Sequence, residues 1–218
     1  MTFHLVVARY LENLNWLRRI PKNIEPWVYN KGNDDLYPAT VVLPNVGREA
    51  HTYLHHIVNQ YDTLPDYTFF CQAKPFDHAY DFHHSLRHWA AQADHKPLFQ
   101  WFGHIIDTDT PDGLLFQTWS KNEDQRHLDL AGFCRELFDE EPPAAFPFVL
   151  GAQFVVARAL IRARPLSFYE KALQLTQTFP DAAHCFERTW DKVFGVEGID
   201  KEWLAGRKTV FLKPIKAK

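Results

Sequence analysis

Two kinds of hydrophobic pattern alternate along the chain. Short unbroken apolar runs, typical of buried strands, occur at residues 3–10, 67–71 and 146–157, with shorter ones at 27–29 and 39–43. Apolar residues spaced three and four apart predict helices at residues 47–61, 85–93, 125–138, 168–179 and 182–194, after a brief helix at 14–20. Residues 98–106 fit either structure. Strands separated by helices predict an α/β fold, Rossmann-like, in which a mostly parallel sheet carries helices on both faces.

The segment at residues 47–61 has the clearest helical pattern. Its apolar stripe consists of Ala50, Tyr53, Leu54, Ile57, Val58 and Tyr61. Asn45 stands where an N-cap belongs, because its side-chain oxygen can accept from a backbone N–H of the first turn. Gly47 and Arg48 open the helix, where free N–H groups and a guanidinium favour an anion. The alternative is a solvated helix face with an ordinary cap.

Size and composition indicate one globular domain over residues 1–218, with a core at about 3–195 and a C-terminal tail at 196–218. The chain has 218 residues and a formal net charge of −3, so neither nucleic acid nor a membrane surface has electrostatic support as a partner. Three separate cysteines and the lack of a signal-like start favour a cytoplasmic protein. No apolar stretch approaches the roughly 20 residues of a membrane span.

The loops that follow the strands are the expected place for a ligand, because open α/β sheets bind ligands beyond the carboxyl ends of their strands. Arg9 ends the first strand. It either holds a phosphate or carboxylate or pairs with Glu12 or Glu25. The loop around Gly151 adds Gln153 as a candidate ligand-binding residue.

The loop after residue 71 is rich in possible metal ligands. They are Asp77, His78, Asp81, His83, His84 and His88. Mixed sets of aspartate and histidine bind divalent ions, and we take Asp77 and His78 as candidates for a metal or ligand contact. The spacing matches no dedicated zinc motif, so a polar surface loop stays open as the alternative.

Two more acidic segments carry candidate chemistry. Asp107-Thr108-Asp109 has the D-x-D spacing that can chelate a metal on a diphosphate, but the following T-P-D-G favours an ordinary acidic turn. Glu187 is predicted to start a helix beside aromatic residues, where burial would raise its pKa and suit it as a general base. The alternative for Glu187 is an ion pair with Arg188 or Lys192. The chain contains no G-x-S-x-G, P-loop or G-x-G-x-x-G motif.

Several segments together resemble a family known only as a domain of unknown function in fungi and bacteria. They are VVARY, YNKG, LPNVGREAHTYLHHIV, YDTLPDYTFFCQAKPFDH, GAQFVVAR and ERTWDKVFG. The resemblance covers about residues 6–195 and is most specific at 43–78. That family is in turn distantly similar to nucleotide-sugar glycosyltransferases of the GT-A type, which implies a GT-A-like fold.

The resemblance implies a role for each matching residue. It puts Arg9, Asn30 and Lys31 near the nucleotide and Arg48 and Glu49 beside the same cleft. It puts Gln72, Asp77 and His78 at the diphosphate or at a divalent metal, Mn or Mg, and Glu187 at the acceptor base. The strand end that carries the metal motif in such enzymes reads PFDH here, without D-x-D, which leaves metal dependence open.

Three functions follow as hypotheses. The first is a glycosyltransferase-like enzyme in which Glu187 deprotonates an acceptor hydroxyl and Arg9, Arg48 or His78 stabilises the leaving diphosphate. The second is a metal-dependent hydrolase or phosphoesterase built on Asp77, His78, His83 and His84. The third is a non-catalytic ligand-binding module on the same fold.

Overall fold

The computed structural model describes residues 1–34, 36–91, 96–116 and 124–212. The strands are β1 (Phe3–Arg9), β2 (Ile24–Asn30), β3 (Val41–Val42), β4 (Tyr67–Gln72), β5 (Phe99–Trp101), β6 (Ile105–Asp109), β7 (Asp112–Leu114), β8 (His127–Asp129), β9 (Phe146–Val149), β10 (Phe154–Ala157) and β11 (Val210–Phe211). The helices are α1 (Arg48–Gln60), α2 (Phe82–Ala91), α3 (Leu130–Phe138), α4 (Arg158–Arg162), α5 (Leu166–Thr178), α6 (Ala182–Glu187), α7 (Trp190–Val193) and α8 (Lys201–Leu204). Short 3-10 turns lie at Asn15–Arg19 and Pro75–Asp77.

A six-stranded sheet organises the molecule, with the strand order β3-β2-β1-β4-β10-β5. The first four strands pair in parallel, whereas β10 runs antiparallel to both β4 and β5. The chain builds outward from β1 to β3 and then returns to the other side of β1 with β4. The strand order therefore reverses between β1 and β4. A mixed α/β architecture with a mostly parallel sheet is confirmed.

Helices cover both faces of this sheet. Leu5 and Phe69 belong to the buried cluster that includes α2. Their neighbours Val6 and Phe70 belong to the opposite cluster, which includes α1 and α5. Because successive side chains of a strand point to opposite faces, a strand buried on both sides must be apolar throughout. This explains why the central strands appear in the sequence as unbroken apolar runs.

Residues 146–157 form two strands in different sheets, and the prediction of one strand was wrong. β9 lies in a three-stranded sheet of order β11-β6-β9, whereas β10 lies in the main sheet. Gly151 (φ 99°) and Ala152 (φ 51°) turn the chain between them. A Cβ atom at position 151 would lie 2.5 Å from Cβ of His78, so this close approach requires glycine.

Asp107 and Asp109 lie in β6, so they are not part of the expected acidic turn, which is confined to residues 110 and 111 before β7. β6 is paired on both sides, by β9 and β11, and the two residues are 0% and 2% exposed. The hydroxyl of Thr209 donates to Asp107 Oδ1 at 2.8 Å, and Nε of Arg188 donates to Asp109 Oδ2 at 2.6 Å. These partners are distant in the chain and therefore leave no local signal in the sequence.

The predicted helices exist, but several of their bounds differ. The helix expected at 125–138 begins only at Leu130, because β8 pairs with β7 and the carboxylate of Asp129 caps the helix by accepting from the Gly132 N–H. The segment 182–194 divides into α6 and α7. The ambiguous segment 98–106 contains β5 and the start of β6. α2 begins at Phe82, and residues 92 and 93 lie outside the described ranges.

The segment that the sequence sets apart as a tail contributes to the core as far as the structure describes it. Ile199 and Val210 are buried, and β11 extends the sheet of β6. Residues 213–218 lie outside the described ranges. Among the helices of the described residues, none combines the length and the apolar content needed to cross a membrane.

Candidate functional site

Two adjoining pockets lie at the carboxyl ends of β1 and β4, where the strand order reverses. We call the first, of about 190 Å³, the strand-end pocket; it is lined by Ala8, Arg9, Tyr10, Glu12, Lys31, Asn45, Arg48, Glu49 and Gln72. We call the second, of about 240 Å³, the aromatic pocket; it is lined by Arg48, Glu49, Gln72, His78, Asp107, Leu115, Phe116, Phe148, Leu150, His184, Glu187 and Arg188. Arg48, Glu49 and Gln72 belong to both. Reversal points of this kind are the usual ligand sites of open α/β sheets.

The start of α1 forms the boundary between the two pockets and is built from unusual backbone. Gly47 and Arg48 both have positive φ, 58° and 47°. A Cβ atom at position 47 would lie 2.8 Å from Cβ of Thr176 in α5, so the position requires glycine. The ammonium of Lys31 holds this turn by donating to the carbonyl of Val46 at 2.6 Å and to the carbonyl of Arg48. The Lys31 ammonium therefore holds the strained backbone conformation of Arg48 in place.

The predicted cap of α1 was wrong. Gly47 occupies the N-cap position, and no side chain makes the capping hydrogen bond. Asn45 precedes it and lines the strand-end pocket instead. The reason is the left-handed conformation at residues 47 and 48, which delays the start of the helix beyond the reach of Asn45.

Arg9 is a buried structural cation whose contacts lie within the protein. Its Nε donates to the carbonyl of Glu12 at 2.9 Å, and its Nη1 donates to Oδ1 of Asn30 at 2.8 Å. Nη2 pairs with the Asp34 carboxylate at 2.8 Å. Arg9 and Asn30 thus fix the ends of β1 and β2, and Arg9 also lines the strand-end pocket.

Lys31 and Glu49 are buried beside each other at the boundary of the pockets, with exposures of 8% each. Burial lowers the pKa of Lys31 to about 8, and the nearby Glu49 charge opposes this. Burial raises the pKa of Glu49; the Arg48 charge opposes the rise and the Glu187 charge reinforces it. Both groups therefore titrate closer to neutrality than exposed side chains of their type.

Glu187 has a pKa that is lowered, so the expectation of a raised value was wrong. Burial alone would raise it. The neighbouring His184, the Arg188 charge and the backbone N–H of Gly151 together outweigh burial and bring the pKa of Glu187 to about 2. Gly151 donates to Oε1 at 2.8 Å, and Nη1 of Arg188 lies 3.3 Å from Oε2. Glu187 also ends α6 and does not start a helix.

A chain of polar contacts runs along the aromatic pocket from α1 to α6. Nη1 of Arg48 lies 3.1 Å from Nε2 of His184, and Nδ1 of His184 lies 3.9 Å from Oε2 of Glu187. A guanidinium can only donate, so Nε2 accepts and the ring proton sits on Nδ1, facing Glu187. The result is a Glu187 whose pKa is lowered to about 2 beside a Glu49 whose pKa is raised. Two carboxyl groups whose pKa values are moved apart in this way are a common feature of acid–base sites.

The remaining predicted residues are only partly brought together. Asp77 is exposed and pairs with Lys74 at 3.0 Å, outside both pockets. His78 lines the aromatic pocket, whereas His83 contacts the carbonyl of Trp16 at 3.1 Å. Gln153 is buried and donates to the carbonyl of Pro75 at 3.0 Å.

A metal-binding cluster is not preassembled from these residues. In the described ranges, no three His, Cys, Asp or Glu side chains are grouped so that they could hold an ion. His84 is exposed and stacks on His88, away from Asp77.

Sequence reasoning missed several residues of the aromatic pocket. Leu115 and Phe116 come from one segment and Phe148 and His184 from two others, and no local spacing links the three segments. Asp107 did carry a signal, the D-x-D spacing, which was discounted in favour of a turn.

Buried histidines lie on α1 and β1. His56 Nε2 lies 3.3 Å from His4 Nδ1, and His56 Nδ1 lies 2.9 Å from the Tyr29 hydroxyl. Burial, reinforced by His4 and His55, lowers the pKa of His56 to about 3. Burial, reinforced by Lys31 and His55, lowers the pKa of His51 to about 4. Both rings are neutral in the folded protein at neutral pH.

We expect the free energy of unfolding to fall by about 1–2 kcal/mol between pH 6.5 and pH 5.5. Below pH 6.5 the unfolded chain binds protons at His51 and His56, whereas the folded chain does not until their pKa values of about 4 and about 3 are reached. Stability is therefore full above pH 6.5 and decreases toward those values. Urea unfolding at each pH measures the effect. His56→Gln should make the free energy of unfolding depend less on pH, whereas the same change at the exposed His84 should not. If wild type and His56→Gln show the same dependence on pH, a buried neutral His56 is not its cause.

No curated protein and no solved structure gave a significant match. The family described as "Protein of unknown function (DUF3431)" matches residues 5–203, which is most of the chain. The protein therefore belongs to this uncharacterised family.

Proposed function

We propose that the protein is a glycosyltransferase-like enzyme that binds a nucleotide-sugar in the strand-end pocket and transfers the sugar to a hydroxyl acceptor. The observation that carries the proposal is the position of the cleft at the β1/β4 reversal point, with Lys31, Arg48 and Glu49 gathered there from separate segments. The order β3-β2-β1-β4 of parallel strands also agrees with the first part of a doubly wound nucleotide-binding sheet. This supports a Rossmann-like, GT-A type fold.

The cations of the strand-end pocket suit a diphosphate. Arg48 is the accessible one, with 60% of its side chain exposed. Lys31 uses two of its three donors on the turn that starts α1, so one donor remains for a ligand in this geometry. The helix start itself favours negative charge. The ring of Tyr10, 47% exposed at the pocket wall, offers a surface on which a nucleoside base can stack.

The transfer step needs a base and a stabilised leaving group at one point, and Arg48 and Glu49 meet at the junction of the two pockets. The acceptor oxygen attacks the anomeric carbon and forms the new glycosidic bond while the bond from that carbon to the diphosphate oxygen breaks. Glu49 takes the acceptor proton, and Arg48 and Lys31 stabilise the departing diphosphate. Glu49 suits this role better than Glu187, because a carboxylate with a pKa of about 2 is a weak base.

No step is assigned to a divalent metal. Asp77, the acidic member of the proposed metal pair, is neutralised by Lys74 and lies outside the two pockets. For the same reason the metal-dependent hydrolase has no observation in its favour. A non-catalytic binding module would use the same cleft and differs only in lacking turnover. A cytoplasmic location is part of the proposal and has the support of three buried free thiols, Cys71, Cys134 and Cys185.

We expect a nucleoside diphosphate at hundredfold excess over its Kd to raise the melting temperature by about 5–10 °C. The screen uses the diphosphates of uridine, guanosine, adenosine and cytidine, each with and without Mn²⁺. Arg48→Ala should abolish the shift, because it removes the accessible cation beside the diphosphate. Arg87→Ala, which removes an exposed cation of α2, is the matched control and should keep the shift. If no diphosphate shifts the melting temperature of the wild type in either condition, the proposal is withdrawn.

A further inference from the structure

We propose that the aromatic pocket is a binding site for a single neutral, polyhydroxylated ring such as a pyranose, held by Asp107 and Glu187 against the walls formed by Phe116 and Phe148. In the reaction proposed above, this ring is the acceptor. Its role as acceptor rests on the proposed function, whereas the binding of the ring does not.

Asp107 provides the clearest sign that the pocket is built for a ligand. The residue lines the pocket and is 0% exposed. Its Oδ1 accepts from the Thr209 hydroxyl at 2.8 Å. Its Oδ2 is buried without a hydrogen-bond partner among the residues that the structure describes. A buried carboxylate oxygen without a hydrogen-bond partner is unfavourable, and a ligand O–H that donated to it would remove that penalty.

The charges around the pocket select a neutral ligand. Asp107 and Glu187 offer acceptors, and Arg48 and Arg188 offer donors from the facing elements. Arg188 is itself held by Asp109 at 2.6 Å and by the carbonyl of His184 at 3.0 Å, so it stays in place. An ammonium ligand would meet the guanidinium groups of Arg48 and Arg188, and a carboxylate ligand would meet the carboxyl groups of Glu49, Asp107 and Glu187. A hydroxyl both donates and accepts, so it is compatible with both kinds of group.

The apolar walls and the volume point to one ring. Phe116 and Phe148 line the pocket together with Leu115 and Leu150, and they give it apolar wall area beside the charged groups; the Arg188 guanidinium lies 4.6 Å from the centre of the Phe148 ring. A pyranose combines the same two kinds of surface, with apolar C–H groups on its faces and hydroxyls on its rim. The volume of about 240 Å³ equals the share of roughly eight water molecules, which suits one ring and excludes an extended glycan inside the pocket.

Saturation-transfer NMR on the full chain tests this assignment. The probes are the methyl pyranosides of glucose, galactose and mannose, with glucosamine and glucuronic acid as charged comparators. We expect at least one neutral glycoside to bind more tightly than either charged sugar. Asp107→Asn should weaken that binding at least tenfold, because the new amide removes charge and can offer a donor where the site needs an acceptor. Glu170→Gln, an exposed carboxyl on α5, is the matched control.

Phe116→Ala is the second variant, since it changes a partly exposed wall and keeps the inference testable if Asp107→Asn fails to fold. It should also weaken binding without changing the melting temperature much. Equal binding of the glycoside to wild type and to both variants overturns the inference, as does preferential binding of a charged sugar or no binding of any glycoside. A nucleotide shift without glycoside binding refutes this inference alone. Glycoside binding without any nucleotide shift refutes the transferase and leaves the ring site standing.

Discussion

Replacing Arg188 by alanine is expected to lower the free energy of unfolding by about 3–5 kcal/mol. The guanidinium is 5% exposed and pairs with Asp109 at 2.6 Å and with Glu187 at 3.3 Å. It also lies 4.6 Å above the Phe148 ring. Removing it leaves two carboxylates in a buried environment without their counter-charge. The cost of burying these unpaired carboxylates, rather than the lost attraction of the ion pairs, accounts for most of the expected loss of stability.

Urea unfolding of matched variants measures this effect. Arg126→Ala removes an exposed arginine that also pairs with a carboxylate, Asp181 at 2.8 Å, and should change stability little because that pair is solvated. The double variant Asp109→Leu with Arg188→Met should recover part of the loss, since it removes both charges of the closest pair. If Arg188→Ala unfolds like Arg126→Ala, the buried pair does not stabilise the fold in the way we infer.

Exchanging Glu49 for glutamine is expected to reduce turnover of a nucleotide-sugar by about 10²–10⁴-fold while nucleotide binding is kept. Glutamine has nearly the same shape but cannot take a proton. Burial raises the pKa of Glu49, so its carboxylate is a stronger base than an exposed one. In the wild type, the rate should fall as the pH drops through that raised pKa, because protonated Glu49 no longer accepts the acceptor proton. Release of the nucleoside diphosphate measures the rate.

Two matched variants separate the roles of the carboxyl groups. Glu136→Gln changes an exposed carboxyl on α3 and should leave the rate unchanged. Glu187→Gln should raise KM for the acceptor more than it lowers kcat, because Glu187 stays ionised and acts as a hydrogen-bond acceptor in our proposal. The opposite pattern, with Glu187→Gln inactive and Glu49→Gln active, would restore Glu187 as the base. Equal, unimpaired rates in both variants would leave neither carboxylate with a catalytic role.

The strands and the cleft position could be predicted because their signals are local. A strand buried on both faces must be apolar, so β1 and β4 appear as runs at residues 3–10 and 67–71. The stripe of α1 follows from helical periodicity. Since parallel strands end at one edge of a sheet, Arg9 and the helix start at Arg48 could be grouped before the fold was known. Resemblance to a family added Asn30, Lys31, Glu49 and Gln72.

Other features depend on contacts between distant segments, and the sequence patterns misled there. The apolar run at 146–157 forms strands of two different sheets. The turn between them consists of the small residues Gly151 and Ala152, so the sequence shows no polar break that would reveal it. Asp107 and Asp109 resembled turn residues, because their partners Thr209 and Arg188 lie far along the chain. The pKa of Glu187 was expected to rise from burial, but the Gly151 N–H and Arg188 charge reverse its direction.

The sequence by itself determined the secondary-structure pattern, the α/β class and the edge of the sheet at which the candidate ligand-binding residues gather. Periodicity and strand direction are properties of consecutive residues, so they can be read without a fold. Only the tertiary structure decided which carboxyl group has a raised pKa and which a lowered one, which arginine is buried and which is accessible, and that a second pocket adjoins the first. These properties depend on burial and on charges brought together from β6, α1 and α6, and such long-range proximity leaves no periodic trace in the sequence.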